Sequence, residues 1–252
     1  MLVQAAAVVP HPPILVPALA AGAAVLLAPL LAACDAAVTG LLEHAPSMVV
    51  CVGSGRRTIR RRPQDWGTLA GFGVAVEAPS RHPDGPPDLP LSLTIGRWLL
   101  ERSGWSGAVL MQEVAGTEPA QDCVQLGSRL AAQAGPQAVW LVLGDGSNRR
   151  GPKSPGFDDP RAPGFDAAVT RAFATADLDA LIGLDCVLAA ELGVAGRSAW
   201  QVLAGAVPAI GTVAAGAEPG PGPGAKPGIE ARVHFDAAPF GVEYLVADWR
   251  LR

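Results

Sequence analysis

The sequence has no Cys-x-x-Cys pair, no lysine or arginine before Arg56, and no long apolar stretch near its start that escapes proline. Each absence removes a class of protein. The four cysteines, Cys34, Cys51, Cys123 and Cys186, lie far apart in apolar surroundings. That pattern fits buried free thiols in a reducing cytoplasm better than a disulfide framework or a zinc site. Leu31-Ala32-Ala33-Cys34 has the form of a lipoprotein cleavage box. A secretory signal needs positive charge ahead of its apolar core, and none precedes Arg56. Prolines at 10, 12, 13, 17 and 29 cut the same segment below the roughly 20 residues a spanning helix needs. The expectation is a soluble cytoplasmic chain with no membrane partner. Only 17% of residues are charged and the formal net charge is −4, so a nucleic-acid partner is not expected. There is no G-x-S-x-G elbow, no GxxxxGK[ST] loop and no GxGxxG after the first strand. Gly220–Gly224 alternates with proline, which lacks the amide donors a phosphate loop requires.

What is present reads as a globular chain. Half of the 252 residues are apolar, enough to bury roughly 70–75% of the unfolded surface. Val-rich runs predict buried strands at Val3–Val9, Met48–Val52 and Ala138–Leu143, with further strands at Phe72–Val76, Ala108–Met111, Ala209–Val213, Arg232–Phe235 and Val242–Trp249. Apolar residues at helical spacing predict helices over Leu26–Leu42, Leu91–Arg102, Asp122–Ala134, Phe165–Ala174, Leu178–Gly193 and Ala195–Leu203. Arg56–Pro63 reads as a basic surface loop, and Ala217–Gly228 as a flexible Gly/Pro loop. Strands alternating with helices, with no internal repeat, give one α/β domain over 1–252: a central, mainly parallel sheet flanked by helices.

Three loops follow the Val-rich strands, and in a parallel sheet such ends share one edge, where ligands bind. The first is Pro10-His11-Pro12-Pro13, where three prolines stop strand and helix alike and hold a titratable ring at a strand end. The second carries Ser54 and Arg56; the third carries Asp145, Ser147, Asn148 and Arg149. Five of the 19 basic residues fall in 56–62 and three in 149–153. Guanidinium groups there suit bidentate capture of carboxylate or phosphate. Arg60–Arg62 reads more simply as a solvated face. His44, His82 and His234 read as structural.

The succession Ala-Ala-Val-Val-Pro-His-Pro-Pro-Ile-Leu-Val-Pro, Val-Val-Cys-Val-Gly-Ser-Gly, Leu-Pro-Leu-Ser-Leu-Thr, Leu-Val-Leu-Gly-Asp-Gly-Ser and Ala-Pro-Phe-Gly-Val-Glu-Tyr resembles the class III extradiol ring-cleavage dioxygenases. Within that family it looks most like the small actinobacterial proteins. The resemblance spans most of the chain and implies a single α/β domain. In active members it implies a non-haem Fe(II) held by two His and one Glu, with a further His as acid/base. His11 matches the first metal ligand. Ser54-Gly55-Arg56 stands where the second His is expected, Asn148 where the acid/base His is expected, and no glutamate matches beyond the rough positions of Glu230 and Glu243. The expectation is therefore a family fold that has lost its Fe(II) site and binds an anionic small molecule, an aromatic acid or a phosphate-bearing one. The alternatives are a working ring-cleavage dioxygenase using Fe(II) or another divalent metal on a catecholic substrate, and a non-catalytic structural or interaction protein. Homo-oligomerisation is compatible with all three.

Overall fold

The computed structural model describes residues 5–207 and 228–251. The strand expected at Ala209–Val213 and residues 217–227 of the expected Gly/Pro loop lie outside the described residues. The chain forms β1 (Ala5–Val9), α1 (Pro17–Ala20), α2 (Ala24–Leu42), β2 (Met48–Gly55), β3 (Ile59–Arg60), β4 (Gly67–Thr68), β5 (Glu77–Ala78), α3 (Leu91–Arg102) and β6 (Ala108–Ala115). It continues with α4 (Ala120–Ala134), β7 (Ala138–Leu143), α5 (Ala162–Ala174), α6 (Leu178–Ile182), α7 (Cys186–Glu191), α8 (Arg197–Ala206), β8 (Ile229–Ala237) and β9 (Tyr244–Leu251).

The main sheet runs β3-β6-β2-β7-β1-β9-β8. Its centre, β6-β2-β7-β1, is parallel; β3 and β9 pair antiparallel at the flanks, and β8 closes on β9 as a hairpin partner. Alternation along each strand feeds two cores. Ala5, Ala7 and Val9, with Val49, Cys51, Leu141 and Leu143, face α2 and α3. Ala6 and Val8, with Val50, Val52, Trp140 and Val142, face α4, α5 and α8. The protein is thus a three-layer α/β domain with a mixed, mostly parallel sheet, as the alternation of patterns predicts. Helices α4 and α8 touch backbone to backbone, because Gly127 abuts the Val202 carbonyl and Gly205 the Val124 carbonyl.

Pro17–Leu42 is by length and composition able to cross a membrane. Here one edge of it, including Leu27, Leu30, Cys34, Val38 and Leu41, is buried against the sheet, while Val25 and Leu26 are exposed.

Four local expectations need correction. The second strand does not stop at Gly53: Gly53, Ser54 and Gly55 continue it, pairing with Glu113, Val114 and Ala115 of β6. The basic loop contains β3, whose two residues pair with Gln112 and Glu113. Phe72–Val76 is no strand; its start forms a tight turn at Ala70–Phe72, and β4 and β5 lie on either side. Leu178–Gly193 is two helices, because Asp185 accepts from the Val187 and Leu188 amides and so begins a new one.

Candidate functional site at the carboxyl edge of the sheet

From β1 the chain leaves over the α2 face, and from β7 over the α5–α8 face, although the two strands are adjacent and parallel. Connections departing to opposite faces leave a crevice beyond the strand ends, the usual ligand position in open α/β sheets. Val9 lies opposite Leu143, so His11 and Asp145, each two residues further on, stand level across this crevice.

Between residues 10 and 13, His11 supplies the one backbone donor, because proline has none. Asp145 takes it: the His11 amide donates to Oδ1 at 2.7 Å, and the ring Nδ1 lies 3.5 Å from the same oxygen. The Gly144 amide donates to the Val9 carbonyl at 3.0 Å, and the Gly196 amide to the Asp145 carbonyl at 2.9 Å, so both strand ends are fixed. His11 is 7% exposed, and its Nδ1 is buried without a hydrogen bond.

The rest of the third loop turns inward. The Ser147 hydroxyl donates to Asp166 Oδ2 at 2.6 Å and its amide to Oδ1 at 2.9 Å. Arg150 bridges Asp166 at 3.2 Å and Glu243 at 2.5 Å. Burial pushes Glu243 up to about 8, with a hydrogen bond from its protonated carboxyl to Asp236 adding and Arg150 opposing. The Asn148 amide group is wedged between Gly156 and Gly193, either of which would collide with it if it carried a Cβ. Arg149 donates to the Gly156 carbonyl within its own loop. His11 Nδ1, Asn148 Oδ1, Arg149 Nε, Ser154 Oγ, Glu243 Oε1 and Arg61 Nε are all buried without a partner, a concentration of polar demand along this edge.

The second loop borders an open cleft of about 660 Å³, lined by Gly55, Arg56, Arg57 and Arg61 on one side, by 87–91 on the other, and by Glu113 at its floor. Glu113, 1% exposed, organises it. Its Oε1 accepts from the Arg56 amide at 2.7 Å and the Arg57 amide at 3.0 Å, and its Oε2 from the Arg61 guanidinium. Arg61 also meets Asp88 at 2.7 Å and is only 6% exposed, which corrects its reading as a solvated side chain. Arg57 lies 3.4 Å from Asp88. The Arg56 guanidinium has no hydrogen bond or ion pair among the described residues. The Ser54 carbonyl accepts from the Ser92 hydroxyl at 2.5 Å, tying β2 to the start of α3.

The seven residues singled out in the sequence therefore fall into three groups along one edge. His11 and Asp145 meet at the crevice, Arg56 stands at the cleft with Ser54 behind it in β2, and Ser147, Asn148 and Arg149 pack into the third loop. Neither Ser54 nor Arg149 is among the cleft's lining residues. Glu113, Asp88 and Asp166 were missed; a Gln112-Glu113 pair inside an otherwise apolar strand was the available signal for the first. His44, His82 and His234 lie apart from the edge groups: His82 stacks on Trp66 at 3.7 Å, and His234 reaches Asp248 at 2.7 Å.

An extradiol-type iron needs two imidazoles and a carboxylate converging on open coordination positions. At the end of β2 stand Ser54, Gly55 and Arg56, and the Glu243 carboxylate is engaged by Arg150. Among the described residues no three His, Cys, Asp or Glu side chains are placed to hold a metal ion. The residues present do not fit that group.

No family model matches the chain, and no curated protein matches it in sequence. Among solved structures, it is similar to an uncharacterised protein of Escherichia coli K12, at 12% identity and a TM-score of 0.48, over 98% of this chain and 99% of that one.

Proposed function

We propose that this protein binds a small anionic molecule in the cleft between Arg56 and the 87–91 segment. The observation that carries the reading is an unengaged guanidinium, Arg56, on the wall of a 660 Å³ cleft at the carboxyl edge of a parallel sheet. That volume lies within the range of small-molecule sites, and Pro87, Leu89, Pro90 and Leu91 supply the apolar wall such sites require. Guanidinium stays protonated at every relevant pH, so the attraction persists as long as the ligand is ionised. The first turn of α3, which no side chain caps, adds the positive end of a helix dipole at the same wall. The resemblance to the extradiol dioxygenases supports the same reading from another side, since an arginine follows the strand where that family's pattern calls for a metal-binding histidine. Arg149, expected to share the pocket, contributes to its own loop instead. A thermal-shift screen of aromatic acids and phosphometabolites tests the proposal. The expected hits are anions whose effect vanishes in Arg56→Gln and survives in Arg149→Ala; hits insensitive to Arg56→Gln would rule out the cleft as the binding site.

A further inference from the structure

The cleft's charges can be counted one by one, and their balance bears on which anion it takes. Three guanidinium groups line it, from Arg56, Arg57 and Arg61, together with two carboxylates, Asp88 and Glu113. Arg61 spends one terminal nitrogen on Asp88 and the other on Glu113. Arg57 leans on the second oxygen of Asp88. The two amides that could have cradled a ligand's oxygens, those of Arg56 and Arg57, are already taken by Glu113. What is left unspent is one complete guanidinium fork, Arg56, the Nε and Nη1 of the exposed Arg57, and one buried N–H, Arg61 Nε.

We propose that the cleft selects a ligand with one singly charged carboxylate on a compact apolar body, and discriminates against phosphate esters. The inference rests on the anion-cleft reading above and goes beyond it by naming the head group. A planar carboxylate matches a single guanidinium fork with two parallel hydrogen bonds. A phosphate dianion brings a second charge and a third oxygen, for which the cleft offers only the outer edge of Arg57, whose charge Asp88 already offsets, and it presents the half-exposed Asp88 carboxylate on the facing wall. Like charges at close range without compensation oppose binding. The apolar body lies along Pro87, Leu89, Pro90 and Leu91, which carry no side-chain donors for a polyhydroxylated ligand.

The test uses two probes that share a body and differ in the head: cyclohexanecarboxylate and cyclohexyl phosphate, titrated calorimetrically into the full-length protein at about pH 8, where the phosphate is dianionic. The expected result is saturable carboxylate binding, about tenfold or more tighter than the phosphate. It is abolished in Arg56→Gln and weakened in Arg56→Lys, which keeps the charge but loses the fork. Asp88→Asn releases Arg57 and one arm of Arg61 and removes the repelling charge, so it narrows or reverses the preference. Phosphate binding as tight as carboxylate in the wild type overturns the head-group inference while leaving the anion cleft standing. Binding of neither probe overturns both. Carboxylate binding that survives Arg56→Gln places the head group elsewhere and overturns the inference.

Discussion

Replacing Glu113 by alanine is the most informative perturbation of the carboxyl edge, because one buried carboxylate holds the basic loop in place. The side chain is 1% exposed and pairs with Arg61, itself 6% exposed. Deleting it leaves the Arg61 guanidinium with Asp88 alone, on the solvent side. Removing one partner of a buried pair costs about 3–5 kcal/mol, since the remaining charge stays desolvated. The Arg56 and Arg57 amides also lose their acceptor, but both residues are exposed and water can replace it, so they add little. The expected loss is therefore about 3–5 kcal/mol for Glu113→Ala. Glu113→Gln keeps a neutral acceptor for the amides and is expected to cost less, about 1–3 kcal/mol. Replacing both partners by leucine should recover most of the loss, because apolar side chains of similar volume tolerate the same burial. Urea unfolding followed by fluorescence of the six tryptophans reads all four proteins. A Glu113→Ala variant within about 1 kcal/mol of wild type would refute the reasoning, as would a double variant no more stable than Glu113→Ala.

Other outcomes follow from single contacts. Gly127→Ala would drive a methyl into the Val202 carbonyl of α8; the expected loss is about 3 kcal/mol, read by thermal unfolding, and an unchanged Tm would mean the helices sit further apart. Glu243 in the folded protein keeps a proton that the unfolded chain releases near its ordinary value of 4.5. Its contribution to stability is thus full below pH 4.5, lost as the pH rises toward about 8, and level beyond, so Glu243→Gln should gain on the wild type across that window. A stability difference that does not change between pH 5 and 8 would contradict the burial of that carboxyl. The His11 amide, held by Asp145, should exchange with solvent slowly in the wild type and fast in Asp145→Ala; equal rates would show that the prolines alone order the loop.

Much of this architecture was legible in the sequence. Leu91–Arg102 and Ala138–Leu143 have the expected limits, because apolar periodicity and flanking proline and glycine define them locally. The position of His11 just past a buried strand was legible as well, since the valine run ends where the three prolines begin. The misses have one cause in common: the deciding partner is distant in sequence. Gly53–Gly55 carry no strand signal of their own and are extended by pairing with β6. Arg61 reads as one more arginine in a basic run until Glu113, 52 residues away, draws it inside. Arg149 and Arg56 both follow strand ends, yet one is captured by a carbonyl of its own loop and the other is left free, a difference no local pattern encodes.

The central claim is that a small anion binds at Arg56, and nuclear magnetic resonance of protein carrying ¹⁵N-labelled arginine and backbone amides reads it most directly. Titration with cyclohexanecarboxylate should shift the Arg56 Nε–Hε signal and the amides of Gly55, Arg56, Arg57 and Leu91 together and saturably, with the His11 amide unmoved. Shifts centred on His11 and Asp145, or none at the Arg56 side chain, would contradict the claim.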